Sequence, residues 1–411
     1  MLTSLDGTLG LLLIVVGILL LILSISVRTA SPIRTLLNVG VLISCAGSLA
    51  YLYLIGIYYG GGDYLLYWRG GLQYASILTE GDWARAQTEF WNSGRWWGTA
   101  FTIHMSGALL AVIGPTLAGA FLVFGLLGYG GTLCIWQAAR RSFPTLDTKR
   151  YLLWLVLYPS LWFWPGALGK DAVVLLGIGL ATLGLTERNG RTRWVLLALG
   201  LVAVFAIRPQ VAATLAFALI AGHWLAAINQ FSLVRAAQGV ALLAGGSWVV
   251  LMAGGQMGVE LFDSNAVSEY VEGRASVTQT GGGAIAGADE GVSPWLAPIN
   301  TMFRPFPWEA SGPTGLLASL EMLLLWGVAL RRRREVRAFI RAYRHTPLIW
   351  MSLLFVLAYA TALGMAIGNF GILTRQRVHI LPFLLLFVVG PRKRALVRRV
   401  APQHRRRLAP A

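Results

Sequence analysis

The feature that most constrains this chain is the repetition of uninterrupted apolar runs long enough to cross a bilayer. Lipid offers no hydrogen-bond partners, so runs of roughly 17 to 25 apolar residues persist there only as helices that satisfy their own backbone. Such runs are legible at about 9–27, 36–59, 115–137, 151–166, 172–186, 194–207, 210–228, 237–254, 314–330, 347–367 and 378–391. The expected fold is an all-α polytopic membrane protein of about 11 transmembrane helices, a single transmembrane domain over residues 1–411. Several central runs are short, which calls for tilt or local thinning of the bilayer. Residues 99–113 are apolar too and fit a re-entrant or interfacial helix. The first run has Asp6 and no basic residue ahead of it, unlike a cleaved signal peptide, and is read as a helix.

With 56% hydrophobic and 12% charged residues, the chain is no ordinary soluble enzyme, for which about 25% charge is usual. Its net charge of +17 could suggest nucleic acid, but the charge is sorted by loop. One set of loops holds 25 of the 34 Lys and Arg residues, including seven arginines between 331 and 344. That set is expected in the cytoplasm, because cytoplasmic loops are enriched in Lys and Arg. The N-terminus then lies outside, and 13 of the 17 acids fall on the outer side. The expected partners are membrane lipids, with no nucleic acid. The basic tail 392–411 is suited to anionic cytoplasmic lipid. Cys45 and Cys134 both fall in apolar runs and give neither a disulfide framework nor metal-ligand spacing.

Two outer loops are long. Residues 60–98 are rich in Trp and Tyr, as expected of interfacial helices at headgroup depth. Residues 255–313 carry Gly281, Gly282 and Gly283 and further small residues to Gly291, a flexible segment suited to a lid. They end on Arg304-Pro305-Phe306-Pro307-Trp308-Glu309.

Ionisable residues at membrane depth are costly and point to function. At the expected outer boundary stand Asp63, Lys170, Asp171, Arg208, Arg304, Glu309, Arg375 and Arg377. A carboxylate facing fixed cations suits transfer from a phosphate- or pyrophosphate-linked donor. The cations bind phosphate oxygens and neutralise the departing phosphate, while the carboxylate takes a proton from an attacking hydroxyl. Tyr64, Tyr67 and Trp68, beside Asp63, could stack on a sugar face, and Trp308 and Glu309 could touch substrate as well. Plainer roles compete. Asp63 could start a helix or pair with Arg69, Lys170 and Asp171 could pair in a turn, and the arginines could snorkel to headgroups. Glu321, inside a run, could be a core hydrogen-bonder or a second acid. His104 and His223 are isolated and read as structural. No metal-ligand spacing stands out, and the need for a divalent ion is left open. No phosphate-binding glycine loop of the nucleotide-binding type occurs.

Three stretches carry a resemblance: Gly61-Gly62-Asp63-Tyr64-Leu65-Leu66-Tyr67-Trp68 after a span, the Tyr158-to-Asp171 turn, and the Arg304-to-Glu309 return. With the short central spans, they make the chain similar to GT-C glycosyltransferases. The resemblance implies a polyprenyl-phosphate or -pyrophosphate sugar donor, and a glycan, lipid or protein acceptor. It implies Asp63 as general base and Lys170, Arg208, Arg304, Arg375 and Arg377 as donor-phosphate ligands. An extra N-terminal helix precedes the acid here. The paired acidic motif of some families is absent, which puts Asp171 forward as the substitute catalytic base. The implied location is a bacterial cytoplasmic membrane, with the site on the extracytoplasmic face. Polymerases of polysaccharide repeat units are similar in architecture, and a non-enzymatic lipid-glycan flippase is the remaining alternative.

Overall fold

The computed structural model describes residues 7–28, 31–92, 96–227, 233–257, 259, 264–279, 283–285, 292–310 and 312–392. Among these the fold is helical throughout, with only two isolated β-bridges, Leu146 to Pro391 and Ala284 to Asn369.

The chain opens with α1 (Gly7–Arg28) and α2 (Ser31–Tyr51), the latter prolonged by a π-helical stretch over Leu52–Tyr58. The first long loop is itself largely helical: α3 (Tyr64–Thr79) and α4 (Trp83–Asn92). The apolar stretch at 99–113 forms α5 (Thr99–Ile113), which packs along α3. The two approach closely at glycines, since a Cβ on Gly107 would lie 2.8 Å from the carbonyl oxygen of Gly71. Small residues at such crossings let backbones meet where lipid provides no hydrophobic drive.

Next comes α6 (Leu117–Ser142). Thr116 caps it by accepting from the Gly119 amide, and Arg140 and Arg141 complement its C-terminal dipole. The runs at 151–166 and 172–186 are expected to make two spans. They form instead α7 (Thr148–Leu157), the short α8 (Pro159–Phe163), a 3₁₀ turn over Trp164–Gly166, and α9 (Lys170–Thr186). Pro159 holds Tyr158 in extended geometry and stops α7. Pro165 and the glycines to Gly169 keep the chain from resuming a helix before Lys170. The helix α9 is almost wholly buried between α6 and α10 (Gly190–Ile207). Its glycines make this possible: a Cβ on Gly179 would come 2.3 Å from the Gly131 carbonyl oxygen.

Helices α11 (Pro209–Ala227), α12 (Leu233–Met257), α13 (Ser264–Thr278), α14 (Ala297–Phe303), α15 (Gly312–Arg331) and α16 (Arg333–Ala342) follow. The chain closes with α17 (Pro347–Ala366), α18 (Phe370–Arg377) and α19 (Leu381–Val389). Eight helices among the described residues are long and apolar enough to cross a membrane. The pair α18–α19, bent by 60°, makes a ninth if taken as one broken span. The difference from about eleven lies at 151–166, which is broken as above, and at 172–186, the 17-residue α9.

At one end of the helix bundle Arg141 pairs with Glu187 at 2.6 Å. Arg150 and Arg332 donate there to the carbonyls of Val389 and Val388, which closes the C-terminus of α19. The opposite end, where α9 begins and α10 finishes, holds the site. Most of the glycine-rich stretch expected as a lid, and the tail after Arg392, lie outside the described residues.

Candidate functional site

The site forms where the ends of α3, α5, α9, α10 and α18 converge, and each residue comes from a local signal. Gly60 and Gly61 adopt φ of 76° and 131°, a reversal that residues with a Cβ resist, and it delivers Asp63 to the start of α3. Asp63 sits at that helix's N-cap but makes no capping hydrogen bond, which leaves its carboxylate for another partner. The amide of Gly98 donates to the Ala206 carbonyl at 2.7 Å, which ties the start of α5 to the end of α10. Thr99 is thereby set beside Lys170, whose Nζ donates to the threonine hydroxyl at 2.9 Å. Asn369 caps α18 through the amides of Gly371 and Ile372 and so fixes the turn that carries Arg375.

Arg375 is the centre. Its Nε donates to Asp171, and its Nη1 reaches Asp63 at 3.0 Å. Arg208 holds the other oxygen of Asp171 at 2.9 Å. His379 Nε2 lies 3.7 Å from that same oxygen, and its Nδ1 shares a hydrogen bond with the Tyr359 hydroxyl at 2.9 Å. Gly169 lies beside the Tyr67 ring and Arg375, where a Cβ would make ordinary van der Waals contact with both.

The two carboxylates differ sharply in exposure: the Asp171 side chain is 2% exposed and that of Asp63 66%. Burial works against the charge of Asp171, but Arg375 and Arg208 outweigh it and hold the carboxyl well below the usual carboxylate range. Asp171 is thus a permanent anion that fixes two arginines. At Lys170 a downward shift disfavours the charged form: burial, then repulsion from Arg208, lowers its ammonium to about 8.

These groups open onto a cavity of about 1010 Å³ whose lining includes Asp63, Tyr67, Lys170, Arg208, Arg274 and Arg375. Two further cavities, of about 120 and about 110 Å³, are too small for a sugar ring with its leaving group. Among the described residues no three His, Cys, Asp or Glu side chains gather as metal ligands.

Of the residues singled out by sequence, the structure brings Asp63, Tyr67, Lys170, Asp171, Arg208 and Arg375 together. Arg304 and Glu309 do not line this cavity; they pair with each other, and Arg304 stacks over the Phe370 ring at 4.9 Å. Partial burial opposes the Glu309 charge, but the hydrogen bonds from Arg304 and the Phe306 amide keep its carboxyl low. Arg377 is buried in the core, within electrostatic range of Tyr158 and Glu321, with no hydrogen-bond partner for Nη1 or Nη2 among the described residues. Tyr64 packs edge-on against Phe121, Trp68 lies against the core, and Trp308 is exposed and stacks on Phe306. Glu321 is a core hydrogen-bonder, accepting from the Ser160 amide at 2.8 Å and from its hydroxyl. Sequence reasoning missed Thr99, Arg274, Tyr359 and His379. Only His379, a titratable residue inside an apolar run, carried a signal.

Compared with protein-family models, curated proteins and solved structures, the chain matches none. It is a multi-pass helical membrane protein.

Proposed function

We propose that this protein is a membrane glycosyltransferase that moves a sugar from a polyprenyl-phosphate- or -pyrophosphate-linked donor to a glycan, lipid or protein acceptor. The observation that carries the reading is the unequal pair of carboxylates on Arg375. Asp171, buried and doubly paired, suits a fixed counter-ion; Asp63, exposed in the cavity, suits a general base. Asp63 takes the proton of the acceptor hydroxyl as its oxygen attacks the sugar's anomeric carbon. The bond from that carbon to the phosphate oxygen breaks, and the phosphate leaves with the electron pair. Attack opposite the leaving group inverts the anomeric centre. Lys170, Arg208 and Arg375 stabilise the charge growing on the leaving phosphate.

The resemblance to GT-C enzymes agrees with this division of labour and adds the location: a bacterial cytoplasmic membrane, with the cavity facing outward and α3 and α4 near headgroup depth. A repeat-unit polymerase would use the same chemistry on a longer acceptor. A flippase would need polar lining through the membrane. The charges that line the large cavity gather at the start of α9, which favours the transferase.

The test uses purified protein in lipid, supplied with polyprenyl-phosphate and -pyrophosphate sugars and mixed acceptors. Release of the free lipid phosphate that disappears in Asp63→Asn is expected. Lipid-glycan movement across the bilayer without release would replace the reading with a transporter.

A further inference from the structure

The helix α13 adds a cation to the site that the chain order does not suggest. Tyr270, Arg274 and Thr278, spaced i, i+4, i+8, all line the large cavity, as one face of a helix must. Arg274 is exposed and has no ion pair among the described residues. The wall it stands on is fixed to the wall that carries Arg375. The Gly368 amide donates to the Thr278 hydroxyl at 2.8 Å, and the Ile285 amide donates to the Gly368 carbonyl at 2.8 Å. Gly368 lies two residues before α18, so Arg274 and Arg375 are held on adjoining, hydrogen-bonded supports.

Lys170, Arg208, Arg274 and Arg375 face Asp63 and Asp171. Among the described residues, four cations against two carboxylates leave a surplus of two positive charges at this cavity. A sugar on a single lipid phosphate, a diester, brings one negative charge; a sugar on a lipid pyrophosphate brings two. Arg208, 8% exposed, lines the cavity while paired with Asp171. Guanidinium forks bind phosphate oxygens in pairs, so two adjacent phosphates use cations on two supports better than one does.

We infer that the cavity binds a diphosphate, and that Arg274 is the positioning residue for its second phosphate. The inference rests on the lipid-linked donor proposed above and selects its pyrophosphate form.

The test measures binding, not transfer, on full-length protein in detergent, with farnesyl diphosphate, farnesyl monophosphate and inorganic pyrophosphate as probes. Farnesyl diphosphate is expected to bind about tenfold tighter than the monophosphate, one charge-assisted contact's worth. Arg274→Gln, at an exposed position that does not threaten folding, is expected to erase that preference and leave the monophosphate within about twofold. Equal affinity for both farnesyl probes, or an equal loss for both in Arg274→Gln, overturns the inference. Inorganic pyrophosphate binding as tightly as farnesyl diphosphate upholds the diphosphate site and overturns the lipid-linked donor. The two failures are therefore distinguishable.

Discussion

Arg375 Nη1 lies 3.0 Å from an oxygen of Asp63, although 312 residues separate the two in the chain. The same guanidinium is anchored from behind by Asp171. One cation thus connects an exposed carboxylate to a buried one, and the consequences of losing each should differ.

Replacing Asp63 with Asn keeps the size of the side chain and removes the base. Lipid-phosphate release should fall by about 10² to 10⁴-fold, the usual contribution of a positioned base. Because Asp63 is exposed, thermal unfolding in detergent should stay within about 0.5 kcal/mol of wild type. A large unfolding shift would make Asp63 structural.

Asp171→Ala should behave in the opposite order. It strands Arg208 and Arg375 without their buried counter-ion, a change that costs about 3–5 kcal/mol. A strongly lowered melting temperature is expected, measurable by fluorescence in detergent. An Asp171→Ala protein as stable as wild type contradicts the anchoring role.

Phosphate binding should depend on pH through Lys170. Its ammonium is charged below about 8 and loses its proton as pH rises through that value. Affinity for farnesyl monophosphate should therefore be full at pH 7 and weaken between about pH 8 and 9. Lys170→Arg should remove that step, since a guanidinium stays charged. A step that survives in Lys170→Arg belongs to another group.

Gly107→Leu should separate α5 from α3, because even a Cβ would meet the Gly71 carbonyl oxygen at 2.8 Å. A loss of about 1–3 kcal/mol is expected in unfolding experiments. Thr99, at the start of α5, should then hold Lys170 less well, so donor KM should rise. Gly17→Ala is the control, with nothing within 4 Å of the added Cβ.

Glu321→Ala removes the acceptor that satisfies the Ser160 amide and hydroxyl at the start of α8. It should cost about 1–3 kcal/mol through those unmet donors. Turnover by the molecules that remain folded should be unchanged, measured as release per folded molecule. A loss of turnover in folded protein would bring Glu321 into the chemistry.

The apolar runs by themselves determined that the chain is helical and crosses a membrane, because lipid tolerates a bare backbone only inside a helix. Hydropathy is blind to the bends that Pro159, Pro165 and Gly169 put into 151–186, so the break between α7 and α9 was legible only in the structure. Charges at run ends were legible as well, and Asp63, Lys170, Asp171, Arg208 and Arg375 do converge. Which charges face one another was decided only in three dimensions. Arg304 spends its charge on Glu309, five residues on. Arg375 and Arg377 look equivalent in sequence, yet one joins the cavity and the other is buried near Glu321. The reason is the pitch of α18: residues two apart on an α-helix of 3.6 residues per turn point to nearly opposite sides. A helix apolar or buried on most faces carries no pattern to say which side is which. Its neighbours make that choice.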